Sequence, residues 1–196
     1  MKKDVENMMQ PDRVAEAVTY LAEKKKQGEY TISDYYAIPE DVRAELIDGV
    51  IYDMAPPSYQ HQRLVMELSS TLRNYIKSKG GPCEVLPAPF AVFLNQDDYN
   101  YVEPDISVIC DPSKNDKGCN GAPDFIIEIV SPSSQRMDYL TKLFKYRTAG
   151  VREYWIVNPL KQTIQVYSFE GTEDSTQYSF DDEVTVTIYG DLKICI

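Results

Sequence analysis

Val102-Glu103-Pro104-Asp105-Ile106-Ser107-Val108-Ile109-Cys110 and Asp124-Phe125-Ile126-Ile127-Glu128-Ile129-Val130 decide how this chain reads. Both segments are rich in Ile and Val, so both are predicted as strands buried on at least one face. Each carries a carboxylate in an apolar setting, Asp105 in the first and Glu128 in the second. A buried carboxylate is costly unless it is paired, hydrogen-bonded or bound to a cation. Two of them on neighbouring strands would make a site for a hard cation such as Mg²⁺, which prefers oxygen ligands.

Downstream, Ser131-Pro132-Ser133-Ser134 is a turn that also supplies helix caps. A helix is predicted over 135–148, with Asp138 and Lys142 four apart on one side and Ala149-Gly150 ending it. Glu153-Tyr154-Trp155-Ile156-Val157 reads as another buried strand, closed by Asn158-Pro159. Thr163 to Phe169 alternates in the manner of a half-exposed strand. An acidic turn over 170–174 and a β-prone segment over 183–188 follow.

Upstream, Asp111 to Ala122 is a loop between the two key strands, and Gln96 to Asn100 a polar turn before the first. Cys83 to Leu94 is extended, and Pro87 and Pro89 suit an edge strand or a bulge. A helix from Tyr59 to Lys79 puts Leu64, Val65, Leu68, Leu72, Tyr75 and Ile76 on one face and stops at Gly80-Gly81-Pro82. His61 lies in its first turn, where position alone suggests a partly exposed polar residue. Leu46 to Met54 reads as a hairpin turning at Asp48-Gly49, preceded by a short helix-compatible stretch over 40–45. Residues 1–29 form an appendage separate from the main domain, 30–196. Val14, Ala17, Val18 and Leu21 give it one helical stripe, and Lys24-Lys25-Lys26 reads as a solvated helix end rather than a phosphate contact. Helices interleaved with a mostly β core predict an α/β or α+β sheet with helices on its faces.

Composition narrows the function classes. The chain has 196 residues, 43% of them hydrophobic, enough for one domain with a full core. Lys and Arg number 20 against 31 Asp and Glu, a net charge of −11. That balance argues against bulk, sequence-independent binding to nucleic acid, which rests on neutralising phosphates. It leaves room for a nuclease, because a local basic patch or bound metal attracts phosphate on an acidic protein. No apolar run is long enough to cross a membrane, and the N-terminus lacks the apolar core of a signal peptide. Cys83, Cys110, Cys119 and Cys195 form no C-x-x-C pair, so zinc is not expected. Reduced thiols in a cytoplasmic protein are expected instead.

The candidate chemistry gathers on Asp105, Glu128 and Lys142, with Glu45 in support from the short helix before the hairpin. Asp105 and Glu128 can hold a divalent cation, which lowers the pKa of bound water and polarises a phosphoryl oxygen. Lys142 can then orient that water or stabilise developing negative charge. On residue types alone, a structural ion-pair network is the stronger alternative.

The chain also resembles a known family. The motifs that carry the likeness are Ala44-Glu45-Leu46-Ile47-Asp48-Gly49, His61-Gln62-Arg63, Glu103-Pro104-Asp105-Ile106-Ser107-Val108 and Glu128-Ile129-Val130-Ser131-Pro132-Ser133-Ser134. Asp138, Lys142, Tyr146 and the run from Ala149 to Val157 complete them. In that order they resemble the Uma family, bacterial proteins of the PD-(D/E)XK nuclease superfamily described as restriction-type endonucleases. The resemblance covers roughly residues 30 to 170. It implies a restriction-endonuclease-like core with a mixed sheet flanked by helices. It also implies Asp105 and Glu128 as metal ligands for Mg²⁺ or Mn²⁺, Glu45 as the N-terminal acid, and His61 and Asp138 as accessory positions. The archetypal lysine two residues after the second acid is Val130 here, and Lys142 corresponds to its migrated replacement. Asn158 also departs, where Asp is usual before the proline.

The function expected on these grounds is metal-dependent hydrolysis of DNA phosphodiester bonds, with a homodimer by superfamily analogy. Val130, the acidity and the absence of a target-reading domain suggest the alternative, a nuclease-fold binding or assembly module.

Overall fold

The computed structural model of the chain describes residues 25–39, 42–114, 117–170 and 175–196. The helical stripe from Val14 to Leu21, and most of the predicted acidic turn over 170–174, lie outside the described residues. The chain divides into two compact units, 1–55 with 97–101, and 56–96 with 102–196.

In the first unit a short helix α1 (Ile32–Tyr35), capped by Thr31, precedes the hairpin of β1 (Ala44–Ile47) and β2 (Val50–Asp53). Asp48 and Gly49 both take positive φ, 50° and 71°, the geometry that lets a two-residue turn follow the strand twist. A side chain at Gly49 would also meet the Gly28 carbonyl oxygen at 2.5 Å, so glycine is required there twice over. The sequence predicts a short helix over 40–45. Within the described residues, Ala44 and Glu45 instead belong to β1, where Glu45 pairs with Tyr52 and Leu46 bridges to Tyr101. Burial of all four β1 residues overrode the weak helical preference of a polar hexapeptide.

The second unit is built on a six-stranded mixed sheet. Its strands are β3 (Glu84–Pro87), β5 (Ile106–Ile109), β7 (Phe125–Ile129), β8 (Glu153–Asn158), β9 (Thr163–Ser168) and β10 (Ser175–Ser179). They lie in the order β10-β9-β8-β7-β5-β3, with only β7 and β8 parallel. β3 is an edge strand that ends on Pro87, consistent with proline's missing donor. β4 (Val92–Phe93) and β6 (Cys119–Asn120) form a small parallel pair. β11 (Val184–Thr185) pairs with β12 (Lys193–Ile194), so the predicted last strand is shorter than expected and has a partner from the C-terminus.

Alternation sorts the sheet's faces. Phe125, Ile127 and Ile129 of β7, with Trp155 and Val157 of β8, pack in one apolar cluster with Leu64, Leu68 and Leu72 of helix α2 (Tyr59–Lys79). Helix α2 keeps its predicted bounds. Ser58 caps its start through the His61 N–H, and Gly80 closes it in the left-handed conformation with φ 63°. The opposite face carries the helix predicted over 135–148, which opens with π-helical turns, Met137–Lys142, and continues as α3 (Leu143–Ala149).

Two thiols are not reduced as expected. Cys83 and Cys110 form a disulfide, while Cys119 and Cys195 remain thiols. Glu84 pairs with Ile109, so the antiparallel register sets Cys83 beside Cys110, a neighbour relation that sequence spacing does not reveal. No helix among the described residues is long and apolar enough to cross a membrane.

Candidate active site

Register brings the two acids together. Ile106 pairs with Ile127 in the antiparallel ladder of β5 and β7, so one step further along sets Asp105 against Glu128. There the side chains take over backbone bonding. The Asp105 N–H donates to Glu128 Oε2 at 3.3 Å, and the Ile129 N–H donates to Asp105 Oδ2 at 2.7 Å.

Each acid also has a side-chain donor. His61, from the first turn of α2, sets Nε2 at 3.0 Å from Asp105 Oδ2. A carboxylate only accepts, so Nε2 carries the proton. Burial pulls the His61 pKa down, but the hydrogen bond and charge of Asp105, helped by Gln62 and Asp138, outweigh it and raise the pKa overall. His61 is therefore a partly exposed polar residue, as its position suggests, and also the partner of Asp105, which position alone does not reveal. Its Nδ1 is buried and makes no hydrogen bond among the described residues.

Glu128 is met from the helix side. Lys142 Nζ donates to Glu128 Oε1 at 2.9 Å, and the Tyr146 hydroxyl donates to the same oxygen at 2.6 Å. Lys142 and Glu128 side chains are each 5% exposed, against 15% for Asp105, so the site opens on the Asp105 side. The π-helical turns bury Asp138 and Lys142 together on the sheet-facing side. Such wide turns are frequent at functional sites. The Asp138 carbonyl accepts the Tyr154 hydroxyl at 3.1 Å. Burial, with the charges of Asp138 and Glu128 next, pushes the Tyr154 pKa well up and keeps that hydroxyl protonated.

Asp105, Glu128, Lys142, His61 and Asp138 thus share one end of one sheet. Glu45 stands buried on β1 of the first unit. Val130 is buried and continues the ladder through its N–H to the Val157 carbonyl at 2.8 Å. Asn158 serves its turn, accepting the Lys161 N–H at 3.1 Å. Sequence reading gave no role to Tyr146 and Tyr154. Tyr146 had a signal, since it lies four residues after Lys142 and so on the same helical side. Tyr154 stood in the motif run from Ala149 to Val157, with no sign of a role beyond strand alternation.

A hard cation fits this donor set in one form only. Among the described residues no three His, Cys, Asp or Glu side chains converge as a metal cage. Mg²⁺ commonly uses one or two carboxylates and completes its shell with water and substrate phosphate. Glu128 on β7 and Asp105, one residue before the start of β5, match that sparser requirement.

Comparison with known proteins places the fold. A relative in Synechocystis sp., an uncharacterised protein, is 29% identical over 125 residues, covering 63% of this chain and 64% of that protein. The match thus spans less than two thirds of the relative's length. The crystal structure of a "putative nuclease" from Anabaena variabilis has a TM-score of 0.68 at 22% identity, covering 84% of this chain and 94% of that chain. At that identity the likeness is one of fold, the mixed sheet flanked by helices. The Uma2 family model, whose description is "Putative restriction endonuclease", matches residues 32–192. With its model spanning most of the sequence and both carboxylate strands, the chain belongs to the Uma2 family.

Proposed function

We propose that this protein is a divalent-cation-dependent endonuclease that hydrolyses DNA phosphodiester bonds at Asp105 and Glu128. The observation that carries the proposal is the juxtaposition of those acids across β5 and β7, with Lys142 Nζ 2.9 Å from Glu128. Asp105 and Glu128 would hold Mg²⁺ or Mn²⁺. Such a cation, when bound, acidifies water and polarises a phosphoryl oxygen. His61 donates to Asp105 and fixes the orientation of its carboxylate. Lys142 supplies the positive charge that the apolar Val130 cannot. Its flexible stem can carry the ammonium from Glu128 to a water or to a phosphate oxygen gaining charge. Asp138 acts through its charge on His61. Glu45 enters as an assisting acid, and a homodimer as the cleaving species, on family grounds alone.

The test is cleavage of supercoiled plasmid with Mg²⁺ or Mn²⁺, by wild-type protein and by folded Asp105→Asn and Glu128→Gln variants. Wild-type cleavage that is lost in both variants and in excess chelator supports the proposal. Undiminished cleavage by either variant refutes this assignment.

One observation favours a second reading, a nuclease-fold binding module. Both acids already accept protein donors, on a chain with a net charge of −11. That reading requires DNA or protein binding by the wild type that the same substitutions leave intact, without cleavage.

A further inference from the structure

Glu128 is held by two side chains of different mobility, and the more rigid one has no place in the chemistry proposed above. Tyr146 is fully buried and donates to Glu128 Oε1 at 2.6 Å. Its ring packs edge-on against Tyr154, with centroids 5.0 Å apart and planes at 80°. Tyr154 is itself buried and tied by its hydroxyl to the Asp138 carbonyl. A tyrosine has two side-chain torsions, and here both are set by packing. Lys142 meets the same oxygen through four flexible methylenes.

We infer that Tyr146 is a positioning residue for the cation site: its hydroxyl anchors Glu128 Oε1 and keeps Oε2 turned toward Asp105, whether or not Lys142 stays in place. The inference rests on the metal-dependent reading of the site and deepens it. Two donors on Oε1 leave the carboxylate one orientation, with Oε2 beside the Asp105 N–H at 3.3 Å. If Lys142 swings toward a phosphate, one of those donors departs. The tyrosine, which cannot swing without breaking its contact with Tyr154, then keeps its bond to Oε1. This is the outer support that commonly shapes a metal site, and losing it typically weakens metal affinity about 10- to 100-fold.

The experiment is calorimetric titration of Mn²⁺ into the full chain as wild type, Tyr146→Phe, Tyr154→Phe and Lys142→Met, with melting recorded for each. Tyr146→Phe removes one oxygen and keeps the packed ring. It is expected to weaken Mn²⁺ binding at least about tenfold. Tyr154→Phe removes a neighbouring buried hydroxyl that does not touch Glu128, and its affinity should match the wild type. Lys142→Met removes a cation and leaves Tyr146 in place, so Mn²⁺ binding should persist or tighten. Unchanged binding by folded Tyr146→Phe overturns the inference. Loss of binding in Lys142→Met also overturns it, even if Tyr146→Phe does not fold, because the lysine would then be the anchor. Absence of binding by the folded wild type refutes the metal-dependent reading itself and the inference with it, a result distinct from either.

Discussion

Glu128 and Glu153 are both buried glutamates on neighbouring parallel strands, and they are held in opposite ways. Glu128, on β7, lies opposite Ile156, and its Oε1 accepts from two ionisable side chains, Lys142 and Tyr146. Glu153 opens β8 opposite Phe125, on the face that carries the apolar cluster. It accepts from the Trp155 indole at 2.7 Å and from the backbone N–H groups of Thr187 at 3.0 Å and Ile188 at 2.9 Å. The donors around Glu153 are fixed and do not titrate, so they tie the C-terminal segment to the sheet. Those around Glu128 carry protons or charge that can be offered elsewhere. Burial of an acid is common to both, and the character of the donors separates the candidate site from a staple.

Substitution should divide the two. The largest effect expected is on cleavage: Asp105→Asn with Glu128→Gln should lower the rate about 10³-fold with melting little changed, measured on plasmid under Mn²⁺. Glu153→Ala should do the reverse. It strands the buried Trp155 indole N–H and the part-buried N–H groups of Thr187 and Ile188, and should cost about 3 kcal/mol in denaturant unfolding, while the folded fraction keeps its activity. If that variant is instead as stable as the wild type but inactive, the contrast collapses.

His61→Ala should sharpen the picture on the Glu128 side. It removes a donor to Asp105 without removing a proposed ligand, so Mn²⁺ affinity should fall about tenfold by calorimetry with the melting temperature close to wild type. The smallest effect is one of pH. Burial raises the Glu153 pKa above its ordinary 4.5, against the pull of its Thr187, Ile188 and Trp155 donors. An acid with a raised native pKa binds its proton more tightly folded than unfolded. Its contribution to stability is therefore whole below pH 4.5 and is lost as pH rises through the native value. The stability of the wild type relative to Glu153→Gln should fall over that rise, as followed by denaturation at successive pH values. A flat difference would show that Glu153 titrates alike in both states.

Much of the fold was legible because it is written locally. Helix α2 was readable from its periodicity and its glycine stop, β5 and β7 from their Ile and Val, and the hairpin turn from Asp48-Gly49. Misreadings occurred where a distant partner decides. Ala44 and Glu45 lean helical in isolation and become strand once β2 pairs with them. β10 is polar and exposed, and its pairing with β9 defines it. The polar stretch before the hairpin and the thiols of Cys83 and Cys110 carry no local mark of what they meet.

Linear pattern alone gives two apolar segments that each carry an acid, a lysine on the next helix, and a sheet with helices on its faces. These follow from periodicities of two and about 3.6 residues, which a linear pattern records. Long-range pairing sets Asp105 against Glu128, closes His61 and Tyr146 on them from opposite faces of the sheet, and makes Glu153 a staple. Those outcomes depend on strand register and on wide helical turns, and both are set by hydrogen bonds between residues far apart in the chain.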